Sequence, residues 1–275
     1  MPIEQTIILL FTGVVIGFLA GMLGIGGGLI MTPVQYWLYT SAGIDPDIAI
    51  KMSFATSLAV ILPTAISGVW RHQRLGNINW KIASFMGIFT FAGSIIGATI
   101  TSILPGDVLK VIFGVVVLIM AARMFTAKIS ETNRPVRQNL WLWAILALGV
   151  GILTGILGLG GGIFIIPILV LILGFTIRSA TATSLAMMLF TSVGGIIGYI
   201  LNGLQVTGLP DHTIGYIYWP AWIALTLGSI FMVQLGAVVC RKASSKLLNT
   251  LLVVIQTYIG LQMIGVIDWF ISLFN

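Results

Sequence analysis

The sequence predicts an all-α polytopic membrane protein made of two inverted repeats, on the evidence of its composition, a duplicated glycine-rich element and the placement of its basic residues. Of 275 residues, 58% are hydrophobic and only 7% are charged, and the mean hydropathy is +1.12. A soluble chain of this length could not bury so much apolar surface. Apolar runs long enough to cross a hydrocarbon core roughly 30 Å thick cover nearly the whole chain, leaving no room for a soluble domain.

The duplicated element is the second observation. Gly21–Val34 reads GMLGIGGGLIMTPV and Gly155–Ile168 reads GILGLGGGIFIIPI, with seven of fourteen positions identical. Each copy interrupts a long apolar stretch with glycines. Helices that are broken at corresponding places in two halves are typical of the binding site of a secondary transporter. The sequence therefore predicts a transporter whose site lies near these glycines.

The duplication extends beyond the glycines, so each half of the chain is one repeat. Ala55–Ala59 recurs unchanged as Ala182–Ala186. Gly76–Trp80 matches Gly215–Trp219, with twelve extra residues before the second copy, most naturally in the loop Gly203–Ile214. We predict a first membrane repeat over residues 1–127, a cytoplasmic loop over 128–139 and a second membrane repeat over 140–275.

Each repeat is predicted to contain one broken apolar segment followed by three ordinary membrane-spanning helices. In the first half these lie at about 7–40 (broken near 24–28), 48–70, 81–103 and 107–126. In the second half they lie at about 141–174 (broken near 158–162), 179–202, 215–239 and 247–270. The total is eight long spans, or ten segments if the arms of the broken segments are counted separately.

The broken segments are predicted to be re-entrant helical hairpins. A continuous helix over residues 7–40 would be roughly 51 Å long, too long for one crossing without extreme tilt. The arm Leu29–Thr40 alone would be only roughly 18 Å long, too short to cross. A turn at the glycines, within or near the membrane, fits both lengths.

The basic residues favour inverted halves, because cytoplasmic loops carry most Lys and Arg residues. With hairpins, eleven of the thirteen basic residues fall on the side of the inter-repeat loop, and only Lys51 and Lys110 fall outside. If each broken segment crossed once, the division would be seven to six. Both termini are therefore predicted to be external. The net charge of +6 reflects these loops, and we predict no nucleic-acid partner.

The candidate substrate-binding residues begin with two glycine triplets. Glycine permits left-handed backbone and close approach of a ligand. The peptide N–H groups that open the following helical arms have no partners within the helix, which favours an anion there. The alternative is that the small residues only allow helices to pack closely. These candidates are Gly26, Gly27, Gly28, Gly160, Gly161 and Gly162.

Two hydroxyl pairs and two cations complete the candidate substrate-binding set. Thr56, Ser57, Thr183 and Ser184 offer uncharged hydroxyls to an oxyanion that must bind and then leave, or they bond their own helix or a neighbouring one. Lys51 and Arg178 precede the two repeated elements. They could neutralise an anion near each entrance, or they could anchor helix ends at the membrane interface.

Other chemistry has no candidates in the sequence. Six of the seven acidic residues fall at predicted external ends, so a proton relay through buried carboxylates is not expected. His72 and His212 lie in separate loops, which argues against a local metal cluster. Cys240 is the single cysteine, so no intrachain disulfide can form. We predict no enzyme activity, no catalytic residue, no metal and no cofactor.

The paired G-x-L-G-x-G-G-G-x₄-P elements, the repeated Ala-Thr-Ser-Leu-Ala and the two-half layout resemble the TauE/SafE sulfite exporter family, also called TSUP. The resemblance covers nearly the whole chain. It implies a multi-pass permease of the bacterial cytoplasmic membrane that moves sulfur-containing anions such as sulfite, sulfoacetate or related organosulfonates, often outward. The glycine and Thr-Ser elements carry over as site candidates.

Three classes of function stay open on the sequence alone. The first is a secondary carrier for a small sulfur oxyanion, an organosulfonate or another small anion. The second is an anion channel of the same fold, and the third is a membrane interaction protein that transports nothing. The expected partners are the small anion and the lipid bilayer, with a homo-oligomer possible.

Overall fold

The computed structural model describes residues 3–24, 26–74, 76–126, 140–239 and 245–266. These residues form mainly helices. The helices and strands are α1 (Ile3–Leu23), α2 (Gly28–Ser41), α3 (Pro46–Gln73), α4 (Trp80–Ile103), α5 (Gly106–Thr126), α6 (Leu140–Leu157), α7 (Gly162–Pro167) with a π-helical turn (Ile168–Ile172), α8 (Ile177–Gly203), β1 (Thr213–Ile214), β2 (Ile217–Tyr218), α9 (Trp219–Val239) and α10 (Ser245–Ile264).

The described residues confirm a largely helical, polytopic membrane protein. Six of their helices are long and apolar enough to cross a membrane, namely α1, α3, α4, α6, α8 and α9. The predicted spans 107–126 and 247–270 correspond to α5 and α10, and the final residues 267–275 lie outside the described part. The count of eight spans stays a prediction. Large apolar side chains on the outer surface are exposed, as expected for contact with lipid: Phe11 67%, Ile88 61% and Phe231 68%.

Both predicted broken segments are interrupted at the predicted glycines, and the two second arms differ. The first arm, α2, remains α-helical through Pro33. The second arm is α-helical only as far as Pro167 and then widens into a π-helical turn. Proline lacks the N–H that would continue the α-helical bonding pattern, which favours such local rearrangement.

A small β-hairpin departs from the all-α expectation. Thr213 pairs with Tyr218 and Ile214 with Ile217, in antiparallel register. The predicted helix over 215–239 therefore starts four residues later, at Trp219. Gly215 at the turn has φ of 55°, a conformation that glycine adopts without steric cost.

The helices of the two halves pack against each other in exchanged pairs. α1 packs on α9, and its counterpart α6 packs on α4; α3 and α8 pack on each other. Glycines allow these close approaches. A methyl group added at Gly17 would lie 2.4 Å from the carbonyl oxygen of Ser229, and one at Gly151 would lie 2.5 Å from that of Thr90. These two contacts occupy equivalent places in the repeats, so the halves are interlocked through matching surfaces.

Candidate substrate site where the two glycine turns meet

The glycine turns hold conformations that require glycine. Gly27 and Gly161, which directly precede α2 and α7, have φ of 74° and 96°. Gly26 and Gly160 are also in the left-handed region, at 80° and 71°. A side chain at any of these positions would be strained. Each break between helices therefore depends on the residue type that the sequence repeats.

The two turns touch each other in the interior of the protein. A methyl group added at Gly28 would lie 2.4 Å from the carbonyl oxygen of Gly158 and 2.9 Å from Cα of Leu159. One added at Gly26 would lie 3.3 Å from the carbonyl oxygen of Leu159. All four residues are buried. The glycine turns of the two halves are thus in direct backbone contact.

Each turn also packs on the Thr-Ser helix of the opposite half. The nearest atom to a methyl group at Gly24 would be Cγ2 of Thr181 on α8, at 2.5 Å. At Gly158, the equivalent glycine, it would be Cα of Phe54 on α3, at 2.6 Å. Phe54 and Thr181 each directly precede a repeated Ala-Thr-Ser-Leu-Ala element. The geometry therefore brings each glycine turn next to the Ala-Thr-Ser-Leu-Ala element of the other half.

Unpaired backbone donors lie at the start of α2. The carbonyl oxygen of Gly27 accepts hydrogen bonds from the N–H groups of Ile30 and Met31. Among the described residues, the N–H groups of Gly28 and Leu29 have no acceptor, and no side chain caps this helix. Both residues are buried. Such groups can donate to the oxygen atoms of an anion.

The hydroxyls of Thr56 and Thr183 have matching structural partners. Thr56 Oγ1 accepts a hydrogen bond from the backbone N–H of Tyr218 at 3.1 Å. Thr183 Oγ1 accepts one from the backbone N–H of Asn79 at 3.2 Å. Asn79 and Tyr218 occupy equivalent places just before α4 and α9. Each threonine therefore holds the loop of the other half, whereas the sequence suggested a ligand role or a bond to a helix.

Ser57 and Ser184 have different surroundings although the sequence repeats them. Ser184 Oγ donates to the carbonyl oxygen of Gly24 at 3.5 Å, a long contact. Ser57 Oγ accepts from Gln35 Nε2 at 2.9 Å and lies 3.2 Å from Thr32 Oγ1. The first half thus has a buried polar cluster that the sequence analysis did not identify.

The members of that cluster could have been found by comparing the two repeats for differences. The cluster consists of Thr32, Gln35, Tyr39 and Ser57, and none is more than 3% exposed. The aligned positions in the second half are the apolar residues Ile166, Leu169 and Leu173, with Ser184 as the fourth. Polar residues kept in one copy of an otherwise apolar repeat were the available signal.

Comparison with known proteins now places this architecture in a family. The sequence model of the sulfite exporter TauE/SafE family matches residues 9–263. The chain belongs to the TauE/SafE family. It is 30% identical over 260 residues to a probable membrane transporter protein, MJ0441, of Methanocaldococcus jannaschii. The matched residues are 94% of this chain and 94% of the relative. No solved structure matches it.

Two further relatives point the same way. A probable membrane transporter protein of Haemophilus influenzae is 29% identical over 229 residues, which is 83% of this chain and 86% of the relative. The probable membrane transporter protein YunE of Bacillus subtilis is 25% identical over 276 residues, or 94% and 97%. This TauE/SafE protein is therefore a multi-pass membrane protein of a transporter family.

One of the two candidate cations is paired with a carboxylate, and the side chain of the other lies outside the described part. In this TauE/SafE protein Lys51 is 6% exposed. Its Nζ lies 2.7 Å from Asp47 Oδ2 and donates to the carbonyl oxygen of Ser102 at 3.3 Å. A carboxylate thus neutralises Lys51, which favours the anchoring interpretation. Arg178 lies in the first turn of α8, and its side chain is outside the described part.

A recess of about 450 Å³ opens at the segment that leads into α4. It is bordered by the segment Gly76–Lys81 and by Ser179, whose Oγ donates to the carbonyl oxygen of Asn77 at 3.1 Å. Asn79, which donates to Thr183, is part of this border. In the other half of this TauE/SafE protein, the equivalent segment is continuous with the β-hairpin. The two halves therefore differ in the loop that bonds to each threonine.

The described residues contain no group of three or more His, Cys, Asp or Glu residues able to hold a metal ion. The polar groups gathered around the glycine turns of this TauE/SafE protein are backbone N–H groups and uncharged hydroxyl and amide side chains. Such a set binds an anion by hydrogen bonds, without a formal positive charge.

Proposed function

We propose that this protein is a secondary carrier that exports small sulfur-containing anions, such as sulfite or organosulfonates, across the bacterial cytoplasmic membrane. The observation that carries this proposal is the buried contact between the two glycine turns. It lies beside the unpaired N–H groups of Gly28 and Leu29 and the Thr-Ser elements. Membership of the TauE/SafE family supports the substrate class and the outward direction.

The chemistry of the site suits a transported oxyanion. Peptide N–H groups and hydroxyls can replace the hydration of an oxyanion, and each such hydrogen bond to a charged group contributes roughly 1.5–3 kcal/mol. A buried, unneutralised cation would hold the anion more tightly and slow its release. The candidate cation Lys51 is already paired with Asp47. A neutral site therefore fits a carrier that must bind and release its substrate in each cycle.

The exchanged contacts between the halves support alternating access. The proposed inverted repeats, residues 1–127 and 140–275, would place the glycine turns at the crossing of two hairpins that enter from opposite faces. Equivalent contacts then exist on both sides of this crossing, as with Gly24 against Thr181 and Gly158 against Phe54. Rocking one half against the other could open the site to either face in turn.

Transport by purified protein in proteoliposomes tests the function. Radiolabelled sulfite uptake should saturate, and unlabelled sulfite on the opposite side should accelerate it by counterflow. Flux that rises linearly through the low millimolar range without counterflow would identify an anion channel of the same fold instead. If another anion is taken up saturably and neither sulfite nor sulfonates compete with it, that anion is the substrate and the proposed sulfur substrate is wrong. Absence of any anion flux would refute a transport role.

Cysteine labelling tests the inverted arrangement. In a Cys240→Ser background, Gln205→Cys should react with an impermeant maleimide in intact cells, because the loop after α8 is proposed to be external. Gln73→Cys should react only after permeabilisation. Both glutamines are exposed, so access depends on the side of the membrane. Protection of Gln205→Cys in intact cells, with labelling after permeabilisation, would mean that the halves are parallel.

A further inference from the structure

The polar cluster of the first half is a hydrogen-bond chain whose direction is fixed. Gln35 Nε2 donates to the carbonyl oxygen of Met31 at 3.3 Å. A carbonyl oxygen can only accept, so the amide nitrogen of Gln35 must be on this side. Gln35 Oε1 then faces Tyr39, whose hydroxyl donates to it at 2.9 Å. The other hydrogen of Nε2 is directed to Ser57 Oγ.

This direction leaves one hydroxyl hydrogen without an acceptor. Ser57 receives a hydrogen bond from Gln35, so the Ser57 hydrogen and the Thr32 hydrogen are both available to the Thr32–Ser57 pair. One of them joins the two oxygen atoms across 3.2 Å. Whichever residue donates, the other hydrogen has no acceptor among the described residues. Both side chains are 0% exposed, so solvent water at the surface does not accept a hydrogen bond from the remaining hydroxyl hydrogen.

The position of the pair connects it to the glycine turns. Thr32 follows Gly28 by four residues on α2 and so lies on the same face of that helix. Gly28 is the residue whose backbone approaches Gly158 and Leu159 of the other turn. Ser57 belongs to the first Thr-Ser element. The Thr32 hydroxyl therefore lies one helical turn from the contact between the two glycine turns.

We propose that Ser57 donates to Thr32, that Thr32 donates the remaining hydrogen to the transported anion, and that Gln35, held by Tyr39, positions Ser57 for this. The preferred ligand is an oxyanion whose oxygens only accept, such as a sulfonate. This inference rests on the proposed function for its ligand. It also makes the halves unequal, because Ile166, Leu169 and Leu173 occupy the corresponding places in the second half and offer no such donor.

Removing Gln35 acts on the pair from a distance. In Gln35→Leu, which copies Leu169 of the other half, Ser57 no longer receives a hydrogen bond. Its hydroxyl can then turn to a carbonyl oxygen of its own helix, as that of Ser53 does to Ala49 at 2.7 Å. The directed donor is thereby lost, although Gln35 itself does not touch the anion.

A double-mutant cycle tests this. For sulfite and methanesulfonate, Thr32→Val should raise the KM of transport roughly ten- to a hundred-fold, the effect of one hydrogen bond to a charged group, with maximal rate little changed. Thr32→Ser should keep the KM within about two-fold. Gln35→Leu should raise it several-fold, and Thr32→Val/Gln35→Leu should be no worse than Thr32→Val alone, because both act on one bond.

Thr90→Val is the matched control. Thr90 is 0% exposed, and among the described residues its hydroxyl bonds only within its own helix, donating to the carbonyl oxygen of Gly87 at 2.9 Å. It should keep the wild-type KM. Melting temperatures of the detergent-purified variants, with and without each anion, separate binding from folding. The proposal is overturned if the effects of Thr32→Val and Gln35→Leu on KM multiply in the double variant. It is also overturned if Thr32→Ser raises the KM as much as Thr32→Val does, or if Thr90→Val raises it equally.

The same measurements separate this inference from the proposed function. Sulfite, methanesulfonate, phosphate, acetate and chloride are compared with wild-type protein. If sulfite and methanesulfonate neither compete for transport nor raise the melting temperature while another anion does, the sulfur substrate is wrong. The double-mutant cycle is then measured with that anion, and its result decides the role of the Thr32–Ser57 pair. If no anion stabilises or crosses with the wild type, both proposals fail.

Discussion

Gly28→Ala is expected to abolish anion transport although it adds only one methyl group. That group would lie 2.4 Å from the carbonyl oxygen of Gly158 and 2.9 Å from Cα of Leu159. Both neighbours are backbone atoms, which cannot move aside as a flexible side chain can. The two glycine turns would have to separate, and the unpaired backbone N–H groups of Gly28 and Leu29 would move with them. Sulfite flux in proteoliposomes is the measurement, with membrane insertion checked by protein yield.

Gly149→Ala is the control for the substitution itself. Gly149 lies within α6, and a methyl group there would meet no described atom within 4 Å apart from the nearby backbone of its own helix. Alanine in a helix is favoured over glycine by up to about 1 kcal/mol, so this variant should be at least as stable as wild type and transport normally. Normal flux in well-inserted Gly28→Ala would show that the contact between the turns is only packing.

The same reasoning extends to the glycines that the sequence singled out. Gly27 and Gly161 have positive φ, so bulky substitutions such as Gly27→Leu and Gly161→Leu combine backbone strain with steric overlap. A methyl group at Gly27 would lie 2.0 Å from Cγ2 of Ile16 within the same hairpin. Gly28→Ala is the sharper test, because it disturbs the contact between hairpins without imposing a left-handed residue.

The sequence predicted those parts of the fold that depend on local chemistry. Apolar length predicted the spanning helices, and glycine predicted where two of them break. Asp45, Asn79 and Thr176 cap α3, α4 and α8, which explains why those helices begin close to the predicted positions. The β-hairpin was missed because four residues of pairing leave almost no periodic pattern, and the twelve-residue insertion was assigned only to a loop.

The site was harder to predict, for two physical reasons. The partners of Thr56 and Thr183 are backbone N–H groups, which every residue other than proline carries, so no residue type reveals them. The cluster around Gln35 was missed because repeated elements were taken as the guide to function. Its residues lie where the repeats differ. A binding site on a pseudo-symmetric axis can be symmetric in its backbone and asymmetric in its side chains.

Lys51 and Asp47 form a charge pair that should tolerate joint removal far better than the loss of its carboxylate. Asp47→Asn is expected to destabilise the protein by roughly 1–3 kcal/mol, since it leaves a lysine with a side chain 8% exposed without its counter-charge. The cost is below that of fully buried pairs because the Asp47 side chain is 44% exposed. In the wild type, Asp47 Oδ1 accepts a hydrogen bond from the backbone N–H of Gly106, and the side-chain oxygen of asparagine can still accept it.

The paired variant Asp47→Asn/Lys51→Met should recover most of the lost stability, because neither charge is then stranded. Melting temperatures of the purified proteins measure this, and sulfite transport measures function. If Lys51 only anchors α3, Lys51→Met should keep the KM for sulfite within about two-fold of wild type. If Lys51→Met instead eliminates sulfite binding while its melting temperature is unchanged, the lysine is the anion's partner. The anion would then bind at this charged end of α3 rather than between the neutral glycine turns.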